Sequence, residues 1–179
     1  MYQNICKLEN GVFMMKDKFL CVMAEYDEES EQYLKSLQEL LHKKGFVGKQ
    51  TPNLPNHITL GTYDRSMEEE LEMQIRTVCS QFKSFDIKLN NIGLFGLNVL
   101  FIAPNVNYEL LNLQKQFQSN FADGLEWTAH TTMLIDEPKV IQKAIPYVAE
   151  NFSGFVGKIK YISLYEFWPS RLISREVLL

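Results

Sequence analysis

Two rhythms of apolar residues alternate along the chain. Phe19 to Tyr26 (FLCVMAEY) is a nearly continuous apolar run of strand length, as expected for a strand buried on both faces. Residues 29–44 change to the helical period, with Tyr33, Leu34, Leu37, Leu40 and Leu41 on one stripe. Gly45, just after Lys43 and Lys44, marks the end of that helix. Thr51 to Pro55 carries Pro52 and Pro55 and reads as a loop, followed by a strand over 56–63. Ser66 stands three residues before Glu69 in a capping-box pattern. The helix it opens runs to about Phe82, with Met67, Leu71, Ile75, Val78 and Phe82 on one face. Phe85 to Leu94 is the next strand.

The second half repeats this order. Val99 to Ala103 is an apolar strand, and Tyr108 to Phe121 is a helix carrying Leu110, Leu111, Leu113 and Phe117. Trp127 to Ile135 is a strand, and Pro138 opens a helix of about three turns. Val156 to Phe167 and Leu172 to Leu179 are the last strands, while residues 1–17 are aperiodic and peripheral. Each half reads β-α-β-α-β, although the two halves are otherwise dissimilar in sequence. Such alternation predicts α/β or α+β layering with helices packed on a sheet. A pseudo-two-fold relation between the halves would set their third elements side by side in a central cleft.

Composition narrows the class. The chain has 179 residues, 46% of them hydrophobic and 22% charged, which suits one globular domain spanning 1–179. The cysteines, Cys6, Cys21 and Cys79, are odd in number and lack a C-x-x-C pair. A disulfide framework and a structural zinc site are therefore not expected, and a reducing, cytoplasmic setting is. The N-terminus shows no signal-peptide pattern and no stretch has the length to span a bilayer. A net charge of −4 argues against coating DNA or RNA nonspecifically, but not against recognising one phosphate at a nucleic-acid end.

The chemistry concentrates in two tetrapeptides, His57-Ile58-Thr59-Leu60 and His130-Thr131-Thr132-Met133. The chain has three histidines, and two of them head the same pattern of His, any residue, Thr and an apolar residue. Both segments lie in predicted strands, where residues i and i+2 share a face. His57 therefore lies beside Thr59, and His130 beside Thr132. Two imidazoles facing one phosphodiester can act as base and acid near neutral pH. Two threonine hydroxyls can donate to its non-bridging oxygens. No metal or cofactor is required. A zinc site would need a third protein ligand, and neither motif offers a Cys or carboxylate two residues from its His. His42 lies beside two lysines in a last helical turn, as expected of a solvated residue favoured by the helix dipole.

The doubled H-x-T-apolar motif, on strands of a two-part chain of this length, resembles the two-histidine (2H) phosphoesterase superfamily, in particular its 2′-5′ RNA ligase-like branch. The similarity runs from about residue 18 onward. It implies an α+β fold of two related lobes, each with an antiparallel sheet facing a central cleft and helices outside. It implies metal-independent chemistry on 2′,3′-cyclic phosphates or 2′,5′-phosphodiester bonds of RNA ends or nucleotides. His57 and His130 would be the catalytic pair, and Thr59 and Thr132 the substrate-binding pair. A monomeric cyclic phosphodiesterase is expected. The alternatives are a nucleotide-binding module using the same cleft without turnover, and RNA 2′-5′ ligation by the reverse reaction.

Several side chains stay open between roles. Arg171 and Arg175 follow the last long strand and have the reach for a phosphate. Tyr165 and Phe167 alternate with Leu164 and Trp168, so one aromatic set faces the cleft and the other the core, with packing favoured over base stacking. Trp127 is expected to anchor the core, and Phe95 and Phe101 flank the joint between lobes.

Overall fold

The computed structural model describes residues 8–9, 12–13, 18–118 and 127–179. A short antiparallel pair, β1 (Leu8–Glu9) and β2 (Val12–Phe13), precedes the main body. There follow β3 (Phe19–Tyr26), α1 (Glu28–Lys43), β4 (His57–Asp64), α2 (Glu68–Cys79), β5 (Phe85–Phe95) and β6 (Val99–Asn105). The chain continues through α3 (Tyr108–Gln116), β7 (Thr131–Ile135), α4 (Pro138–Asn151), β8 (Phe155–Phe167) and β9 (Arg171–Val177).

The seven strands from β3 onward form one antiparallel sheet in the order β4-β3-β8-β5-β6-β7, with β9 also paired to β8. β8 is the hinge of this sheet. Its N-terminal part, 155–159, pairs with β5, and its remainder pairs with β3 on one side and β9 on the other. Two arms therefore grow from one long strand, and this is the bilobal α+β architecture with antiparallel sheets that the motifs implied. The two motif strands are not hydrogen-bonded neighbours, however. β4 and β7 are the opposite ends of the strand order, and they approach each other across the gap between the arms.

Alternation along β3 explains the layering. Leu20, Val22, Ala24 and Tyr26 join the main core with Ile58 and Leu60 of β4 and Leu34, Leu37 and Leu41 of α1. Cys21, Met23, Tyr165 and Phe167 form a second apolar cluster on the other sheet face, with Phe19, Leu54 and Trp168 packed against it. The continuous apolar run predicts a strand covered on both sides, and both sides are covered, one by helices and one by this cluster.

Local signals behave as physics requires, with exceptions. Asp27 caps α1 by accepting from the Ser30 N–H at 3.0 Å, and Gly45 ends it with φ +88. The Gly45 N–H reaches the His42 carbonyl and the Phe46 N–H the Leu41 carbonyl, a Schellman close. The Ser66–Glu69 capping box does not form. Asp64 at the end of β4 accepts from both the Ser66 N–H and its hydroxyl, at 2.9 and 2.6 Å, and this turns Arg65–Met67 into a 3-10 turn ahead of α2. Strand β7 begins at Thr131, later than the expected Trp127, because 127–130 carry no ladder bonds. Helix α3 ends at Gln116, short of the expected Phe121, because Phe117 leaves the helix with its N–H on the Gln114 carbonyl, and most of the segment 1–17 lies outside the described residues. No helix among the described residues is long and apolar enough to cross a membrane.

Candidate active site

Where the two arms face each other, a cleft of about 200 Å³ opens onto the apolar second face of the sheet. His57, Thr59 and Thr132 line it together, whereas His130, the fourth expected residue, is buried and not among its lining residues. Its apolar wall is Phe19, Met23, Leu54, Phe167 and Trp168, and its polar wall includes Gln38, Lys49, Gln50 and Asn56. The rings of Phe19 and Phe167 stack at 5.4 Å with an 18° interplanar angle, and Trp168 meets Phe167 edge-on at 4.8 Å. Tyr165 and Phe167 thus both belong to the cleft-side cluster, while Leu164 goes to the main core.

The two histidines are held in the same way. His57 Nδ1 lies 2.8 Å from the Pro55 carbonyl, and His130 Nδ1 lies 2.8 Å from the Thr128 carbonyl. A carbonyl oxygen only accepts, so in both rings Nδ1 carries the proton. In the neutral imidazole Nε2 is then the unprotonated nitrogen, free to accept. Each motif therefore repeats a local device, a ring clamped through Nδ1 to the carbonyl two residues upstream.

The surroundings of the rings differ. His57 is half-buried and sits directly opposite Glu25 in the β3–β4 register, on the same sheet face. His130 is buried, at 7% exposure, and packs against the touching pair Phe95 and Phe101, perpendicular to the first at 4.6 Å and tilted to the second at 5.3 Å. Burial pulls the His57 imidazole below the ordinary histidine value, partly offset by its carbonyl bond and by the charge of Glu25. Burial likewise lowers His130; its carbonyl bond opposes the shift and a charge on His57 adds to it. A charge on His57 is thus felt at His130.

Side chains tie the two motifs together from behind. The Thr131 hydroxyl donates to the His57 carbonyl at 3.2 Å. Trp127 Nε1 donates to the Thr59 carbonyl at 2.8 Å. Gln38 of α1 donates to the Thr132 carbonyl at 3.4 Å and accepts from Asn56, the residue before His57, at 3.3 Å. Trp127 is therefore a strand anchor and not only a core filler. Gln38, Asn56 and Thr131 carry no signal in the sequence, because what makes them matter is a partner far along the chain.

The two arginines that follow β8 are committed elsewhere. Arg175 Nε lies 2.7 Å from Glu25 Oε2, with its guanidinium 3.7 Å over the Tyr161 ring. Arg171 lies 3.2 Å from Glu68 and 3.6 Å from Glu166, a carboxylate also held by Lys18 and Arg65. Both serve as ion-pair partners in the structure. Lys49, which no sequence pattern singles out, is the cation lining the cleft, and it pairs with Glu137 at 2.5 Å and Asp136 at 3.7 Å. Among the described residues no group of three or more His, Cys, Asp or Glu side chains gathers as metal ligands would.

A comparison with curated protein sequences finds no match. Among solved structures, Escherichia coli LigT in apo form is similar, with 13% identity and a TM-score of 0.56, covering 91% of this chain and 99% of that one. LigT complexed with ATP gives 14% identity and a TM-score of 0.62, covering 90% and 97%. TT0787 of Thermus thermophilus gives 12% identity and a TM-score of 0.61, covering 89% and 97%. These likenesses establish a common fold. The model of the 2′-5′ RNA ligase superfamily matches residues 26–166, a span that contains both histidine motifs and the strands that carry them, and the chain belongs to that superfamily.

Proposed function

We propose that this protein is a metal-independent phosphoesterase that opens 2′,3′-cyclic phosphates, or cleaves 2′,5′-phosphodiester bonds, at RNA ends or on nucleotides. The observation that carries the reading is the matched clamp on His57 and His130, which leaves Nε2 of each ring unprotonated, with His57, Thr59 and Thr132 lining one cleft. In ring opening, a neutral imidazole takes a proton from water as the water oxygen bonds to phosphorus. The bond from phosphorus to the 2′- or 3′-oxygen breaks, and the second ring, as imidazolium, gives that oxygen a proton. Each transfer is typically worth about 10²–10⁴-fold in rate. Thr59 and Thr132 donate to the non-bridging oxygens as their charge grows. Because two neutral hydroxyls form this clamp and Lys49 is already paired, a singly charged phosphodiester is better matched than a dianionic product.

The surroundings also favour one assignment of roles. His57 faces Glu25, whose charge favours its imidazolium, and it is the acid. His130 is buried against Phe95 and Phe101 and is disfavoured as a second cation, so it is the base. The aromatic wall of Phe19, Phe167 and Trp168 offers a stacking surface for a base. LigT has been crystallised with 3′-AMP and with ATP, which motivates adenine nucleotides as the first probes here.

A bell-shaped pH profile follows. The rising limb of kcat/KM is the loss of the proton from His130 and the falling limb its loss from His57. Both groups lie below the ordinary histidine value of 6.5, so the kcat/KM maximum is expected on the acid side of 6.5. A bound phosphate anion favours both imidazolium forms, so the kcat profile should lie at higher pH than that of kcat/KM. A profile with one rising limb and a plateau to about pH 9 would contradict the paired mechanism.

Thr59→Val and Thr132→Val each remove one hydrogen bond to a charged group, worth roughly 1.5–3 kcal/mol, or about 10- to 150-fold in kcat/KM. If the bonds strengthen in the transition state, the loss falls on kcat. Steady-state kinetics on 2′,3′-cyclic AMP measures this, and an unchanged kcat/KM in both variants would remove the threonines from the site.

A further inference from the structure

The motif strands β4 and β7 are the two ends of an open sheet, so no backbone ladder joins them. Yet the proposed reaction needs His57 and His130 at a fixed separation. The contact that closes this gap is the middle residue of the second motif. Thr131 is 1% exposed and, next to the cleft-lining Thr132 on β7, points to the opposite face of the strand. Its hydroxyl lies 3.2 Å from the His57 carbonyl and 2.7 Å from the Tyr26 hydroxyl. The direction of both bonds follows from the inventory of protons. A carbonyl only accepts, so the single Thr131 proton goes to His57, and Tyr26 must then donate to Thr131 Oγ1. Tyr26 belongs to β3 and is itself 2% exposed in the main core. The chain Tyr26 O–H to Thr131 O–H to His57 C=O therefore runs from the core of one arm, through the second motif, to the first.

We propose that Thr131, oriented by Tyr26, is the positioning residue that sets the distance between the two histidines, its hydroxyl standing in for the ladder bond that an open sheet lacks. This rests on the phosphoesterase reading of the same cleft. The neighbouring ties do less. Trp127 grips the Thr59 carbonyl from the chain before β7, and Gln38 grips both strands from α1 without joining them directly. Thr131 alone among these side chains belongs to one motif and bonds the histidine of the other. An apolar residue there would fill the same space and remove the Thr131 partner of both the His57 carbonyl and the Tyr26 hydroxyl.

The test compares Thr131→Val, Thr131→Ser and Tyr26→Phe with wild type on 2′,3′-cyclic AMP, with folding checked by circular dichroism. A reacting group misplaced by about 1 Å can cost about 100-fold, so Thr131→Val is expected to lower kcat about 10- to 100-fold with KM changed less than about twofold. Thr131→Ser keeps the hydroxyl and should restore kcat to within about threefold of wild type. Tyr26→Phe, which leaves the Thr131 rotor unheld, should lower kcat in the same direction by a smaller factor. A second readout is independent of turnover: the two imidazole C2 protons followed by NMR against pH. Widening the gap weakens the effect of a charged His57 on His130, so His130 should titrate at higher pH in Thr131→Val. The proposal is overturned if folded Thr131→Val keeps wild-type kcat and the wild-type His130 titration, or if Thr131→Ser is as impaired as Thr131→Val. If the valine variant does not fold, Tyr26→Phe decides, and wild-type kcat there is fatal to the relay. If wild type turns over no substrate while Thr131→Val still shifts the His130 titration, the positioning stands and the phosphoesterase reading falls.

Discussion

Replacing His57 or His130 by alanine is expected to lower turnover of a 2′,3′-cyclic nucleotide by about 10²–10⁴-fold, with the fold intact. His57 is half-buried at the cleft and its ring is hydrogen-bonded to the local Pro55 carbonyl, so truncation removes little packing. His130 is buried against Phe95 and Phe101, so His130→Ala leaves a small void, and His130→Asn or His130→Gln is the cleaner variant for rate. The two losses should not add. A base without its acid is of little use in one concerted displacement, so the double variant should be nearly as active as the worse single one. Losses that multiply across the double variant would mean two independent roles and would contradict the shared transition state. The role assignment adds a finer expectation. A substrate with a good leaving group needs little help from an acid, so His57→Ala should be far less harmful on an activated aryl phosphodiester than on the cyclic nucleotide, whereas His130→Ala should harm both. The opposite pattern would exchange the roles.

The largest effect on stability is expected at Arg175. Its partner Glu25 has a side chain 1% exposed, and the other Glu25 oxygen accepts from Ser163. Removing the guanidinium leaves a buried carboxylate without its countercharge, which costs about 3 kcal/mol, or roughly 6–12 °C in Tm for a chain of this size. Arg175→Ala also removes the stacking on Tyr161, so the double-mutant cycle is informative. Glu25→Gln in the Arg175→Ala background removes the stranded charge and should recover most of the loss. The same variant reads the acid. Without Arg175, the Glu25 charge acts on His57 unscreened and favours its imidazolium, so the falling limb of kcat/KM should move to higher pH. A Tm unchanged in Arg175→Ala would mean that Glu25 reaches solvent or another cation, and an unmoved falling limb would take the acid role from His57.

The elements with local causes are legible in the sequence. The apolar run 19–26, the stripe through Leu34, Leu37 and Leu41, and Gly45 at a left-handed turn each follow from side-chain period or backbone freedom. So does the pairing of His57 with Thr59, which line the cleft together, because alternation on a strand needs no knowledge of the rest of the fold. What escapes a sequence reading depends on competition or on partners distant in the chain. Ser66 has the pattern of a cap, but Asp64 competes for it from two residues upstream. Arg171 and Arg175 look free because their carboxylates, on β3, α2 and β8 itself, meet them only once the sheet is formed. Thr131 looks like the indifferent middle residue of a motif, and no periodicity links it to Tyr26. The strand order is likewise unreadable. A repeat of β-α-β-α-β suggests two histidine strands side by side, whereas β4 and β7 end opposite arms and meet only because the sheet opens around β8.

The central claim is chemical, and product analysis tests it most directly. Purified protein is incubated with 2′,3′-cyclic AMP and with a 2′,5′-linked dinucleotide in EDTA, and the products are separated by chromatography and identified by mass. The predicted result is turnover undiminished by EDTA and a single monophosphate isomer, 2′ or 3′, because one oxygen of the ring faces His57. Saturable nucleotide binding with no product would contradict the claim and leave the cleft as an anion clamp, and activity restored only by added divalent metal would contradict the paired-histidine mechanism itself.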